Sequence, residues 1–151
     1  MIEHAAMARQ NFLSGMTCAQ AVLCAFGDVT GLDRATAMRV SASFGGGLGG
    51  LREVCGAVSG ALMVLGLVEG WTEPGDFPAK KAHYARVQEF ARRFRDAEGS
   101  ILCRELLTGA GVVPRTDPSE RSESYYQKRP CPELVAEAAR LLDELLAEGR
   151  A

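Results

Sequence analysis

Five cysteines dominate the chemistry available to this sequence, and four of them lie where helices are predicted to begin. These four are Cys18, Cys55, Cys103 and Cys131. Unpaired backbone N–H groups and partial positive charge at a helix start favour a thiolate, the form that a redox nucleophile and a metal ligand both need. We therefore predict one functional site from the four, although buried cysteines also serve as small apolar residues. Cys24 lies inside a predicted helix on another face than Cys18, and we assign it to packing.

The cysteine spacing matches no compact metal motif, since C-x-x-C, a paired Cys-His knuckle and C-x-x-C-H are all missing from the sequence. A shared site must therefore be assembled by tertiary packing. Three functions stay open at this point. The four cysteines could be metal ligands in an electron-transfer protein, Cys55 and Cys18 could be the catalytic pair of a thiol-disulfide enzyme, or the chain could be a zinc-stabilised or non-catalytic helical module. A homodimer through the glycine-rich surface belongs to the third alternative.

A run of glycines directly precedes the Cys55 helix in FGGGLGGLREVCGAVSG. A dinucleotide-binding loop would need a β-strand before it, and the preceding residues are predicted to be helical. We expect instead that the glycines let the chain pass close to Cys55 and present backbone N–H groups to an anionic sulfur centre. The predicted cofactor-binding glycines are Gly45, Gly46, Gly47, Gly49, Gly50 and Gly56.

Composition narrows the class of protein. The chain has 151 residues, which fits one domain over 1–151, and its 17 basic and 19 acidic residues are interspersed with a net charge of -2. Nucleic acids and membrane surfaces are therefore poor candidate partners. The longest apolar stretch, 57–68, is short of the roughly 20 residues that span a bilayer, and the first residues lack a secretory pattern. We predict a cytoplasmic protein with reduced thiols and an unidentified redox partner.

Hydrophobic periodicity predicts an all-α fold, a compact bundle of about six to seven helices without strands. The predicted helices cover 2–12, 18–27, 34–44, 55–67, 78–98, 101–107 and 132–148. The apolar, glycine-containing helix 55–67 is expected at the centre, with its glycines admitting neighbouring helices. Residues 108–130 are predicted to form a long loop, which is unusual unless it folds over something. His4 and His83 are predicted to be surface or boundary residues, and neither enters the predicted site.

Four segments carry a family resemblance: GMTCAQAVLCAF, SFGGGLGGLREVCGAVSGALMVLGL, CRELL and CPELVAEAARLLDELL. In this order and spacing they resemble the C_GCAxxG_C_C family, whose members are regarded as redox-active. The resemblance implies a helical protein with four family cysteines at Cys18, Cys55, Cys103 and Cys131, and it leaves Cys24 outside that set. The family is similar to a haem-carrying cytochrome group, but this chain lacks the attachment motif, so covalent haem is not expected. The same likeness implies an iron-sulfur cluster as cofactor.

Overall fold

The computed structural model describes residues 3–149, and within them the chain is all-helical, as predicted. Its nine helices are α1 (His4–Leu13), α2 (Cys18–Ala25), α3 (Gly27–Thr30), α4 (Arg34–Ser41), α5 (Gly56–Glu69), α6 (Phe77–Glu98), α7 (Cys103–Gly109), α8 (Glu123–Lys128) and α9 (Cys131–Glu148). A 3-10 turn, Ala42–Phe44, leads into a left-handed turn at Gly45–Leu48. Between residues 3 and 149 the extended backbone pairs only at one bridge, Val54 with Leu102.

Two short helices, α3 and α8, were not predicted from the sequence. Helix α8 lies within residues 108–130, which were predicted to be a loop throughout. Ser122 caps this helix by accepting a hydrogen bond from the Tyr125 N–H. The start of the first predicted helix at Ile2 lies outside the described residues. Thr17 and Gln20 form a capping box at the start of α2, and Asp33 accepts the Thr36 N–H at the start of α4, as the sequence predicts. The cap that the sequence predicts at Ser100 is wrong, because the Cys103 helix has Leu102 as its N-cap and no side-chain cap.

Helix α5 lies at the centre of the bundle and contacts α2, α3, α6 and α9. A Cβ atom on Gly60 would lie 2.6 Å from the Ala19 carbonyl oxygen, so the absence of a side chain allows α2 to approach. The prediction that the glycines of this helix admit neighbouring helices is wrong for Gly66, because no neighbouring atom lies within 4 Å of the position its Cβ would take. In the part of the chain that the structure describes, no helix combines the length and the apolar character needed to cross a membrane.

Helices α4 and α6 bury only part of the apolar and aromatic positions that recur along them at helical spacing. Ala37 packs into the core, but Val40 is 53% exposed, because α4 makes its main interhelical contact with α2 alone. In α6, Phe90 and Phe94 are fully buried while Tyr84 is exposed, since only the second half of that helix carries residues of the core. Cys24, expected to be buried, is half-buried against the core.

The prediction that His4 is a surface or boundary residue is wrong, because its side chain is buried between α1, α3 and α9. The ring stacks on Phe26 with centroids 4.0 Å apart. Its Nδ1 lies 2.9 Å from the Asp143 carboxylate and its Nε2 lies 2.9 Å from the Asp28 carboxylate. Both ring nitrogens therefore contact acceptors, and the imidazole joins the first helix to the last.

Replacing His4 by alanine is expected to lower the free energy of unfolding by about 2 kcal/mol, because the ring contact and both hydrogen bonds are lost. Arg9→Ala is the matched control, since Arg9 also joins α1 to α9 through Glu133 but at an exposed position. Its expected loss is below about 1 kcal/mol. Urea unfolding followed by circular dichroism measures both values, and equal losses would contradict the assigned role of His4.

Candidate functional site

The structure brings Cys18, Cys55, Cys103 and Cys131 to the wall of one cavity of about 330 Å³, which we call the cysteine cavity. Three of these cysteines are the first residues of α2, α7 and α9, and Cys55 is the N-cap of α5. The predicted placement at four helix starts is therefore confirmed. Cys24 does not line the cavity. Within residues 3–149, no group of three or more Cys, His, Asp or Glu side chains is arranged to hold a metal ion.

Backbone pairing holds two of the cysteines beside each other. The Cys55 N–H donates to the Ile101 carbonyl at 2.7 Å, and the Cys103 N–H donates to the Glu53 carbonyl at 2.6 Å. These bonds flank the bridge between Val54 and Leu102. The segments that begin α5 and α7 therefore enter the cavity wall paired with each other, although their cysteines lie 48 positions apart in the sequence.

The glycine turn, residues 45–50, has a backbone that L-residues with side chains rarely adopt. Five consecutive residues, 46–50, have positive φ angles, and the Gly49 N–H donates to the Gly45 carbonyl as in one turn of a left-handed helix. Such a turn costs roughly 1–2 kcal/mol for each residue that carries a Cβ atom. Leu48 is the one residue of the turn that meets this cost, which explains why glycine fills the other positions.

The glycine turn and Gly56 also make room for the cysteines. A Cβ atom on Gly47 would lie 2.8 Å from the Cys103 Cβ, and one on Gly56 would lie 3.1 Å from the Cys18 Cβ. One on Gly45 would lie 2.6 Å from a methyl carbon of Thr17, the cap of α2. The six glycines predicted from the sequence all line the cavity. Their part in binding a cofactor stays a prediction.

The 110–130 segment, which contains α8, covers the cavity from the other side. Six residues of this segment line the cavity: Thr116, Pro118, Ser119, Arg121, Tyr125 and Arg129. A Cβ on Gly50 would lie 2.3 Å from the Thr116 carbonyl oxygen, so the segment crosses directly over the glycine turn. Arg121 fastens it to α1 by donating to the Met16 carbonyl at 3.0 Å and by stacking on Phe12 at 4.3 Å. The prediction that this stretch folds over another part of the protein is therefore confirmed: it crosses the glycine turn and lines the cavity.

Three arginines, Arg52, Arg121 and Arg129, are the charged side chains that line the cavity. Arg52 donates from one guanidinium nitrogen to the Cys103 Sγ at 3.6 Å and from its Nε to the Arg115 carbonyl at 2.7 Å. Arg129 donates to the Ser119 hydroxyl at 3.0 Å and lies over the Tyr125 ring. Among residues 3–149, no aspartate or glutamate lines the cavity, so its electrostatic potential favours anions.

The thiol pKa values differ from the prediction that all four helix starts favour thiolates. A side-chain hydrogen bond between Cys18 and Cys131 raises the pKa of Cys18 well above its ordinary value and lowers the pKa of Cys131, whose thiolate the three arginines also stabilise. Burial raises the pKa of Cys55 to about 12, against the opposing effect of the Ala57 and Val58 N–H groups. Burial likewise raises the pKa of Cys103. Desolvation therefore outweighs the helix ends, and Cys131 is the acidic thiol.

Sequence reasoning missed Arg121 and Arg129 as residues of the site. They lie in the stretch assigned to a loop, and their charge alone does not distinguish them from surface arginines. The available signal was the length of that loop, which predicted that it covers part of the protein but not which residues face inward. Arg52 lies three residues before Cys55 in the sequence, but its guanidinium contacts the Cys103 sulfur.

A family model described as "Putative redox-active protein (C_GCAxxG_C_C)" matches residues 16–145 of the chain. The match includes the four cavity cysteines, the glycine turn and the 110–130 segment. No curated protein and no solved structure matches the sequence.

Proposed function

Because the chain belongs to the C_GCAxxG_C_C family of redox-active proteins, we propose that it is an electron-transfer protein in which Cys18, Cys55, Cys103 and Cys131 bind an iron-sulfur cluster. The observation that carries the proposal is that these four thiols, from four separate helix starts, line one cavity of about 330 Å³. Four cysteine thiolates are the usual ligand set of such clusters.

The size of the cavity supports a cluster over a zinc ion. Zinc binds four thiolates at about 2.3 Å around one point, and a cavity of about 330 Å³ has room for a larger group. A cluster of several iron and sulfide ions extends across a cavity, so its ligands can stand further apart. The glycines beside Cys103 and Cys18 leave volume that side chains would otherwise fill. The donor set and the cavity therefore fit the group.

When bound, such a cluster supplies a reversible one-electron centre. The chain's residues would hold and shield it. Arg52 donates a hydrogen bond to Cys103 Sγ, and hydrogen bonds to ligand sulfur atoms favour the more negative, reduced state. Cys55, Cys103 and Cys131 are buried, and the 110–130 segment limits the access of water to the site.

The test is iron binding by cysteine variants after anaerobic purification and reconstitution. We expect the wild-type protein to show visible absorption and bound iron and sulfide, and Cys55→Ser to lose most of both, because a neutral hydroxyl is a poor ligand for iron. Cys24→Ser is the matched control, since Cys24 is half-buried, lies outside the cavity and should leave the iron content unchanged. A colourless, iron-free wild-type protein with four titratable cavity thiols would refute the proposal.

A second candidate function, thiol-disulfide exchange, is favoured by the interaction between the Cys18 and Cys131 thiols, which raises the pKa of Cys18 and lowers that of Cys131. In this proposal the Cys131 thiolate attacks a partner disulfide, which forms a mixed disulfide and releases one sulfur of the partner as a thiolate. The Cys18 sulfur then attacks the Cys131 sulfur of the mixed disulfide and releases the partner's second thiolate. Cys18 and Cys131 end as a disulfide, and the partner gains two electrons and two protons. The catalytic role predicted for Cys55 from the sequence stays a prediction.

Mass-tagging of free thiols before and after mild oxidation of the metal-free protein distinguishes the second candidate. The count should fall by two in the wild type and in Cys24→Ser, and it should not fall in Cys131→Ser. A wild-type count that does not change, or a loss that persists in Cys131→Ser, would exclude this pair.

A further inference from the structure

The three arginines of the cysteine cavity lack the carboxylate partners that other half-buried arginines have. Arg86 pairs with Glu69, and Arg93 pairs with Glu89 and Glu148. Arg52, Arg121 and Arg129 are also half-buried, yet within residues 3–149 none of them forms an ion pair. A partly desolvated guanidinium without a counter-charge is unfavourable. Positive charge at the cavity therefore exceeds what the protein itself neutralises.

Each of these arginines retains hydrogen-bonding capacity. Within the described residues, Arg52 uses its Nε and one terminal nitrogen, and Arg121 uses both terminal nitrogens. Arg129 uses one terminal nitrogen, on Ser119. At least one nitrogen of each guanidinium therefore stays available to an acceptor that enters the cavity.

The three arginines come from different parts of the chain. Arg52 follows the glycine turn, Arg121 precedes α8, and Arg129 follows α8. All three line the same cavity, and the guanidinium carbons of Arg121 and Arg129 each lie 4.8 Å from the centre of the Tyr125 ring. A planar carboxylate presents two oxygens, whereas a tetrahedral oxyanion presents four in different directions, which suits donors arranged around one volume.

We propose that the cysteine cavity, in its metal-free thiol state, binds a tetrahedral oxyanion such as sulfate or phosphate between Arg52, Arg121 and Arg129. The proposal does not rest on cluster binding, because it concerns the protein without metal. It assigns an anion-binding role to the 110–130 segment, which supplies two of the three arginines. A small molecule that reacts with the cavity thiols would accordingly be expected to carry an oxyanion group.

Isothermal titration calorimetry tests the proposal on the reduced, metal-free full chain, with inorganic phosphate and sulfate titrated separately at ionic strength matched with chloride. We expect saturable binding of one anion per chain. Arg129→Gln should weaken it about tenfold to hundredfold, because one charge-assisted hydrogen bond is lost. Arg52→Gln should weaken it similarly, and circular-dichroism spectra identical to that of the wild type would show that both variants keep the fold.

Arg140→Gln is the control, since Arg140 is exposed on α9 and pairs with Glu137 and Glu144. Binding of sulfate alone or phosphate alone would support the proposal and identify the anion. Heats no larger than those of chloride, or equal affinity in the wild type, Arg52→Gln and Arg129→Gln, would overturn it. Because no iron is present, these outcomes are independent of the test of cluster binding.

Discussion

Replacing Gly47 by alanine is expected to lower the free energy of unfolding by about 3 kcal/mol, through left-handed backbone strain and close contacts together. Gly47 has a φ of +67°, and its Cβ would lie 2.7 Å from the Glu53 backbone nitrogen and 2.8 Å from the Cys103 Cβ. Neither neighbour is the end of a flexible side chain, so neither can rotate away. In a chain of this length the loss corresponds to a melting temperature roughly 6–12 °C lower, which differential scanning calorimetry measures.

Gly49→Ala separates the two causes of the Gly47 effect. Gly49 also has a left-handed φ, +56°, but the nearest atom to its Cβ position is the Ser43 carbonyl oxygen at 3.8 Å, an ordinary contact. Its expected loss is about 1 kcal/mol, from backbone strain alone. Equal losses in the two variants would show that packing against Cys103 does not require glycine at position 47.

Iodoacetamide is expected to modify Cys131 before Cys55 in the metal-free, reduced protein at pH 7. The pKa of Cys131 is lowered from its ordinary value of 9.0, whereas burial raises the pKa of Cys55 to about 12. The thiolate populations at pH 7 then differ by at least about a thousandfold. The midpoint of the Cys131 rate profile should lie below pH 9, and the Cys55 rate should still increase above pH 11. Peptide mass spectrometry of quenched samples measures both rates.

Two variants test the origin of the Cys131 reactivity. Arg129→Gln should move the midpoint of the Cys131 profile to higher pH, because the arginine stabilises the thiolate. Cys24→Ser should leave the profile unchanged, since Cys24 lies outside the cavity. Rapid labelling of Cys55 at neutral pH, or a fast phase that survives Cys131→Ser, would contradict the assignment of Cys131 as the acidic thiol.

Features that depend on neighbouring residues were predictable from the sequence. Thr17 identified the start of the Cys18 helix because a hydroxyl can satisfy an unpaired N–H three residues later. Pro132 indicated the start of the last helix because proline needs no hydrogen-bond acceptor at that position. The apolar sequence around Val64 and Leu65 predicted a central helix, because a helix that is apolar on all sides is buried.

Features that depend on distant contacts were not predictable in the same way. The burial of His4 requires Asp28 and Asp143, and the second of these lies 139 residues further along the chain. The thiol pKa values depend on how deeply each sulfur is buried, so Cys55 and Cys131 differ although both begin helices. Arg129 belongs to the cavity because the 110–130 segment crosses the glycine turn, a contact that no local pattern indicates.

The spread of the cavity cysteines along the chain has a consequence for synthesis. Cys18 begins the second helix and Cys131 begins the last, so a nascent chain cannot complete the site before residue 131 has left the ribosome and α9 has docked. A ligand that needs all four thiols would then bind only the finished fold and would stabilise it by mass action. Loading of the site would accordingly report that translation and folding of these helices are complete.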